Sequence, residues 1–114
     1  MRDENFSDRR LFRRIPANLS LRFFDQNSNK EGLASTQDIS AKGISLLTYE
    51  KLVPNSSLEM WLKIPKRDSE LYTRGRVVWS EKFGFNQYKA GVDLEKAEFM
   101  GMSAILRSIY PKKI

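Results

Sequence analysis

Two short segments carry the residue types best suited to chemistry. Arg9-Arg10-Leu11-Phe12-Arg13-Arg14 concentrates four guanidiniums, and Asp38-Ile39-Ser40-Ala41-Lys42-Gly43 joins a carboxylate, a hydroxyl and a glycine. Arg10 and Arg14 are four positions apart, as are Arg9 and Arg13. That interval is about one helical turn and also an even number along a strand, so either geometry sets each pair on a common side. Paired guanidinium forks hold phosphate oxygens bidentately. They also fit the O6 and N7 acceptors of guanine, where a good contact discriminates by about 1–3 kcal/mol. Lysine would neutralise phosphates without supplying the planar fork. A solvated basic tail, partly neutralised by Asp8, or a nonspecific polyanion patch is the competing reading of the cluster.

The second segment offers the complement. An ionised Asp38 can accept from the N1–H and N2–H donors of a guanine edge, and Ser40 can donate to a phosphate or a base acceptor. Gly43 can adopt positive φ, which permits a sharp re-entry into the next strand and a close approach of backbone to ligand. The same residues also suit a polar hairpin in which Asp38 and Ser40 only satisfy nearby backbone amides. Taken together, the two segments fit a ligand that carries both phosphates and guanine edges.

These segments must be positioned by the rest of a 114-residue chain, a length most simply read as one domain. Residues Met1 to Asp8 read as a flexible polar tail, with a single domain over 9–114. Pro16 disfavours helix at Ile15 and turns the chain toward an extended run. Leu19, Leu21 and Phe23 alternate with Ser20, Arg22 and Phe24, as a half-buried strand requires. Further strands are expected over about Gly32 to Ile39, from Ile44 through Leu47, from Leu58 to Ile64, from Leu71 to Ser80 and from Tyr88 to Leu94. Phe99, Met102, Leu106 and Ile109 then recur at intervals of three and four, giving one apolar helical stripe that Pro111 ends. Short strands at this spacing point to a small antiparallel barrel or sandwich, with the helix covering an open end or joining a dimer.

Composition narrows the chemistry. The net charge is +6, from 20 basic and 14 acidic residues, and favours an anionic partner. There is no cysteine and no histidine, which removes disulfides, thiolate metal sites and the commonest general base. No run resembles a calcium loop, so neither a metal nor a cofactor is expected. An enzyme is not expected either, because Asp38 lacks an evident second acid. No apolar run approaches the ~20 residues that span a bilayer, and Met1 to Ser7 lacks an apolar signal core. A soluble, cytoplasmic protein is the expectation. Core packing on alternating strand positions accounts for most of Phe23, Phe24, Trp61, Tyr72, Phe83, Phe85 and Tyr88. Arg74, Arg76, Lys82 and Lys89 add cations on strands whose faces stay open at this stage.

The ordered pair Arg10-x-x-x-Arg14 with Ile15-Pro16, then Asp38-x-Ser40-x-x-Gly43 between two strands, resembles the signature of the PilZ domain. Gly75-Arg76-Val77-Val78-Trp79 and Gly91-Val92 agree with it, and the likeness runs from about Arg9 to Tyr110. The resemblance implies an all-β fold: a six-stranded antiparallel barrel with a C-terminal helix that binds cyclic di-GMP. It implies that Arg10 and Arg14 wrap over the ligand, that Asp38 and Ser40 read guanine, and that Gly43 shapes the turn. Arg9 can contact a second guanine and would favour an intercalated ligand pair, while Arg13 is a supporting cation. Trp79 is either a stacking face near the ligand or a tryptophan packed in the barrel. The implied role is a ligand-sensing module whose arginine arm orders on binding and signals to a downstream protein. A small basic nucleic-acid-binding barrel is the first alternative, although Asp38 would sit badly beside its phosphates. An adaptor that kept the fold without sensing is the second.

Overall fold

The computed structural model describes residues 14–65, 67–95 and 98–109. Its elements are strands β1 (Ile15–Pro16), β2 (Ser20–Asp25), β3 (Lys30–Ile39), β4 (Gly43–Thr48), β5 (Ser57–Lys63), β6 (Glu70–Lys82) and β7 (Tyr88–Leu94), followed by helix α1 (Phe99–Ile109). Every pairing is antiparallel, in the order β1-β3-β2-β5-β6-β7-β4. A further pairing of β3 with β4 closes the ring, so six strands form a barrel with no free edge among them. The expected six-stranded barrel is therefore observed, with β1 as an addition that the sequence reading treated only as an extended run. β2 pairs with residues 30–35 of β3, and β1 takes the same edge further on, opposite Asp38 and Ile39. Proline suits that place because a peripheral strand can do without the missing N–H.

The alternation seen in the sequence is the alternation of the barrel wall. Leu19, Leu21 and Phe23, then Leu58, Met60 and Leu62, and Ala90, Val92 and Leu94 all turn inward and are buried. Ile44 and Leu46 of β4 and Val77 of β6 complete the same core. Met102, Ile105 and Leu106 of α1 join it, with Ile109 packed against it, so the helical stripe serves the core. Asp25 ends β2 by accepting from the N–H groups of Asn27 (2.9 Å) and Ser28 (3.3 Å), and Asn29 supplies positive φ (62°) before β3 starts. This tight turn lets β3 begin at Lys30, two residues earlier than the pattern suggested, because Asp25 and Lys30 pair directly.

The aromatic residues depart from expectation. Of the seven singled out, Phe23 alone belongs to the buried core, while Tyr72, Phe83 and Phe85 are exposed. The inward positions are filled mainly by Leu, Ile, Val and Met, while Phe24, Trp61 and Tyr72 fall on the opposite phase of their strands and Phe83 and Phe85 lie beyond the end of β6. On the wall made by β2, β5 and β6, Arg22, Trp61 and Tyr72 stand opposite one another on neighbouring strands. The Arg22 guanidinium lies 4.6 Å from the Trp61 ring centre, Trp61 and Tyr72 are 5.4 Å apart, and Arg22 also pairs with Glu70 at 3.2 Å. Desolvation, reinforced by the nearby Glu59 charge, raises the Tyr72 phenol above its ordinary value, so this wall stays uncharged at that position. No helix among the described residues is long and apolar enough to cross a membrane.

A core this densely filled should respond to truncation. Leu46 is fully buried on the seam between β3, β4 and β7. Leu46→Ala should cost about 2–5 kcal/mol in urea unfolding, and a loss below about 1 kcal/mol would contradict this placement.

Candidate functional site

Strict alternation would send Asp38 into the core. Thr36 is inward and buried, so a regular strand would place residue 38 inward as well. The β3–β4 ladder instead shifts register between Thr36 and Asp38, leaving Gln37 as an extra residue. This bulge resets the phase: Ile39 takes the buried position, and Asp38 turns to the outer surface. The segment before β2 clamps the same spot. Thr36 Oγ1 donates to the Ala17 carbonyl (2.5 Å) and accepts from Leu19 N–H (2.9 Å), while Ala17 N–H donates to the Gln37 carbonyl (3.2 Å). Arg14 thereby enters beside β3, and its Nη1 donates to Asp38 Oδ1 at 2.5 Å. The two side chains keep 52% and 30% of their exposure, so the pair faces solvent.

A second bulge does the same for Trp79. The β6–β7 ladder shifts between Val77 and Trp79, with Val78 as the extra residue. Val77 stays in the core, and Trp79 emerges on the outside at 39% exposure. This excludes the reading of Trp79 as a residue packed inside the barrel. Its indole lies across Gly91, the residue opposite it on β7. A Cβ at Gly91 would collide with Nε1, Cε2 and Cδ1 of the ring.

Successive pairings join these two ends. Asp38 is opposite Ser45, Ser45 opposite Gly91, and Gly91 opposite Trp79. One row therefore crosses the outer wall from a carboxylate, over two small residues, to an indole face. Three strand spacings of about 4.8 Å give it a width of roughly 14 Å. Gly43, Asp93 and Arg76 form the next row on one side; Leu47, Lys89 and Glu81 form it on the other. Arg76 and Lys89 thus share the face, while Arg74 is engaged by Glu95 (3.1 Å) and Glu98 (3.5 Å). The whole arrangement can accept from donors at one end and stack a flat ring at the other, and each border sets one cation opposite one carboxylate.

Ser40 occupies a different position from its neighbour Asp38. It is only 4% exposed, and its Oγ accepts from the N–H groups of Lys42 (3.2 Å) and Gly43 (3.1 Å) and donates to the Gly43 carbonyl (3.3 Å). Its N–H also donates to that carbonyl at 2.8 Å. The hydroxyl thus closes the corner between β3 and β4, which matches the polar-hairpin alternative for this residue. Gly43 departs from the expected positive φ: among described glycines, Gly84 alone has one. What Gly43 permits is close packing, since a Cβ there would stand 2.8 Å from the Val92 carbonyl oxygen. Arg9, Arg10 and Arg13 lie outside the described residues, as do the 1–8 tail and Pro111. Ser45 and Gly91 were not singled out as site residues because small residues carry no chemical signature; only their register beside Asp38 and Trp79 reveals them. Among the described residues, no group of three or more acidic side chains is placed to hold a metal ion.

Comparison with known proteins matches residues 8–109 to the model of the PilZ domain, and the chain belongs to this family. Solved structures share the fold. They include the PilZ domain with c-di-GMP of YcgR from Escherichia coli, at TM-score 0.66 and 12% identity, covering 89% of this chain and 92% of that one. The Bacillus subtilis inhibitor of motility MotI/DgrA aligns at TM-score 0.64 and 16% identity, over 90% of this chain and 52% of that one. K. pneumonia MrkH in its apo state aligns at 0.66 and 18%, over 88% and 50%. The chain thus spans about half the length of the B. subtilis and K. pneumonia proteins. No curated protein matched it.

Because Trp79 is seated on Gly91, filling that seat should expel it. In a Trp61→Phe background, which leaves Trp79 as the sole tryptophan, Gly91→Val should shift the emission to the red and weaken near-UV dichroism. An unchanged spectrum would show that the indole does not lie on that glycine.

Proposed function

We propose that this chain is a receptor module for cyclic di-GMP, working as a binding and signalling domain without catalysis of its own. The observation that carries the reading is the meeting of Arg14 and Asp38, 24 residues apart in sequence, at one end of a floor that ends in Trp79. A guanidinium fork, a carboxylate acceptor and an indole face match the three kinds of surface a guanine nucleotide presents: phosphate oxygens, an N1–H and N2–H edge, and a flat ring. Ser45 and Gly91 keep the floor low between Asp38 and the indole that covers Gly91, so a guanine can stack on the outer face of Trp79, with Arg76 beside it for the phosphates. Membership of the PilZ family and the ligand of the E. coli structure support the same choice.

In this reading Arg14 and Asp38 hold one another until ligand arrives. An exposed ion pair contributes about 0–1 kcal/mol, so exchanging it for contacts to phosphate and guanine costs little. Arg14 turns to the phosphates, Asp38 accepts from the base, and Arg10, four positions earlier in the sequence, adds a second fork. Arg9 contacts a further guanine, which favours an intercalated pair of ligand molecules, with Arg13 as a supporting cation. Ser40 and Gly43 keep the Asp38 corner in shape. Ordering an arm over the barrel consumes free energy, which places the affinity near micromolar, about −8 kcal/mol. The reshaped surface is then what a downstream protein reads.

Calorimetry distinguishes this from a general basic surface. Cyclic di-GMP should bind near micromolar, with about two molecules per chain, while GTP, cyclic di-AMP and a short RNA bind far more weakly. Arg14→Ala and Asp38→Ala should each weaken binding about tenfold or more, given ~1–3 kcal/mol per bidentate contact. Affinity unchanged from that of the unsubstituted chain in both variants would overturn the assignment. Tight, strongly salt-dependent RNA binding would instead favour the nucleic-acid alternative.

A further inference from the structure

The β6–β7 hairpin ends in Phe83-Gly84-Phe85-Asn86-Gln87, and Phe85 at its tip is 87% exposed. This is a built turn. Phe83 N–H donates to the Gln87 carbonyl at 2.7 Å, and Gly84 and Asn86 take φ of 87° and 54° to complete it. Lys89 Nζ sits 4.3 Å from the Phe83 ring centre and steadies the stem. The tip therefore holds an apolar ring out into water from a defined scaffold.

Directly beside it lies a hole. Leu33, Ala34, Leu47, Tyr49 and Gln87 help line a cavity of about 280 Å³ on the outer wall where β3 meets β4. Gln87 belongs both to the hairpin and to the cavity, so the knob and the hole share a border. Leu33, Tyr49, Phe83 and Phe85, four of the exposed large hydrophobic residues, thus gather at one corner of the barrel. Apolar groups grouped in this way on a small domain mark a contact surface.

We infer that this corner is a self-association surface, on which Phe85 of one copy enters the Leu33–Tyr49 cavity of a second copy of this chain. A face that carries a knob next to a hole is complementary to itself: a twofold rotation sets each knob over the other copy's hole. The hole also argues for a folded partner, since a lipid surface would need only the protruding ring. Charge allows the contact despite the overall +6. The hairpin side carries Glu81, Lys82 and Lys89, and the cavity side Lys30, Glu31, Glu50 and Lys51, so the rotation sets a weakly basic rim against a neutral one. One ring and one cavity per copy make a small contact, so the dimer is weak and reversible. Leu47 and Lys89 lie in the row bordering the Asp38–Trp79 floor, whereas Phe85 and Leu33 lie outside it, so substitutions at those two residues separate self-association from ligand binding.

Sedimentation velocity of the full chain, from about 10 µM to about 1 mM, tests this. The weight-average sedimentation coefficient should rise with concentration toward that of a dimer. The rise should strengthen at high salt, which screens the net charge. Phe85→Ser on the knob and Leu33→Glu on the hole should each abolish it while leaving the thermal unfolding midpoint and cyclic di-GMP affinity unchanged. A monomer at every concentration, or a dimer indifferent to Phe85→Ser, overturns the inference. Phe85-dependent binding to vesicles of anionic phospholipid without self-association also overturns it, and would assign the corner to a membrane surface.

Discussion

Closure of the barrel by the β3–β4 pairing is the constraint on which everything else depends. A closed ring of six strands has no edge at which a mismatch in register can be absorbed. Each strand must keep its apolar residues inward, because a shift of one residue would expose a whole row of leucine, isoleucine and methionine. Ordinary alternation supplies the outer wall, as at Arg22 and Trp61, and the phase along a strand changes only through a local exception. The two exceptions on this wall are the bulges at Gln37 and Val78, and each is followed at once by a residue of the candidate site.

This gives the site its rigidity and its economy. Asp38 sits in the closing seam itself, tied on one side to β4 and on the other to the Ile15–Pro16 segment. Thr36, buried just before the bulge, fastens the incoming chain through both its hydroxyl and its N–H. The position of Arg14 is thus set by hydrogen bonds that have nothing to do with its charge, and the ion pair to Asp38 follows from that placement. At the far end, Trp79 is held by the absence of a side chain on Gly91. A rigid wall therefore presents an acceptor and a ring at a constant separation, with the Arg14–Asp38 pair exposed at one end.

The same division between buried and outward side chains runs within one motif. Asp38, Ser40 and Gly43 are neighbours in sequence, yet they do different work. Asp38 faces outward; Ser40 is folded into the corner it closes; Gly43 lets β4 pack hard against the β7 backbone. The three residues jointly build one corner, and Asp38 is the one whose side chain turns outward from it.

Much of this architecture was legible in the residues. Period-two alternation in the segments around Leu21, Met60 and Val92, and the change to helical spacing at Met102 and Leu106, follow from burial alone and need no knowledge of partners. So did the complementary chemistry of the arginine cluster and the Asp38 corner, since charge and hydrogen-bonding capacity belong to the side chains themselves. Which way Asp38 and Trp79 point was not legible, because a bulge is one extra residue with no local mark, visible only against the strand beside it. The outward aromatics, the floor made by Ser45 and Gly91, and the meeting of Arg14 with Asp38 were hidden for the same reason. They are properties of register between distant strands, and register is decided when the ring closes.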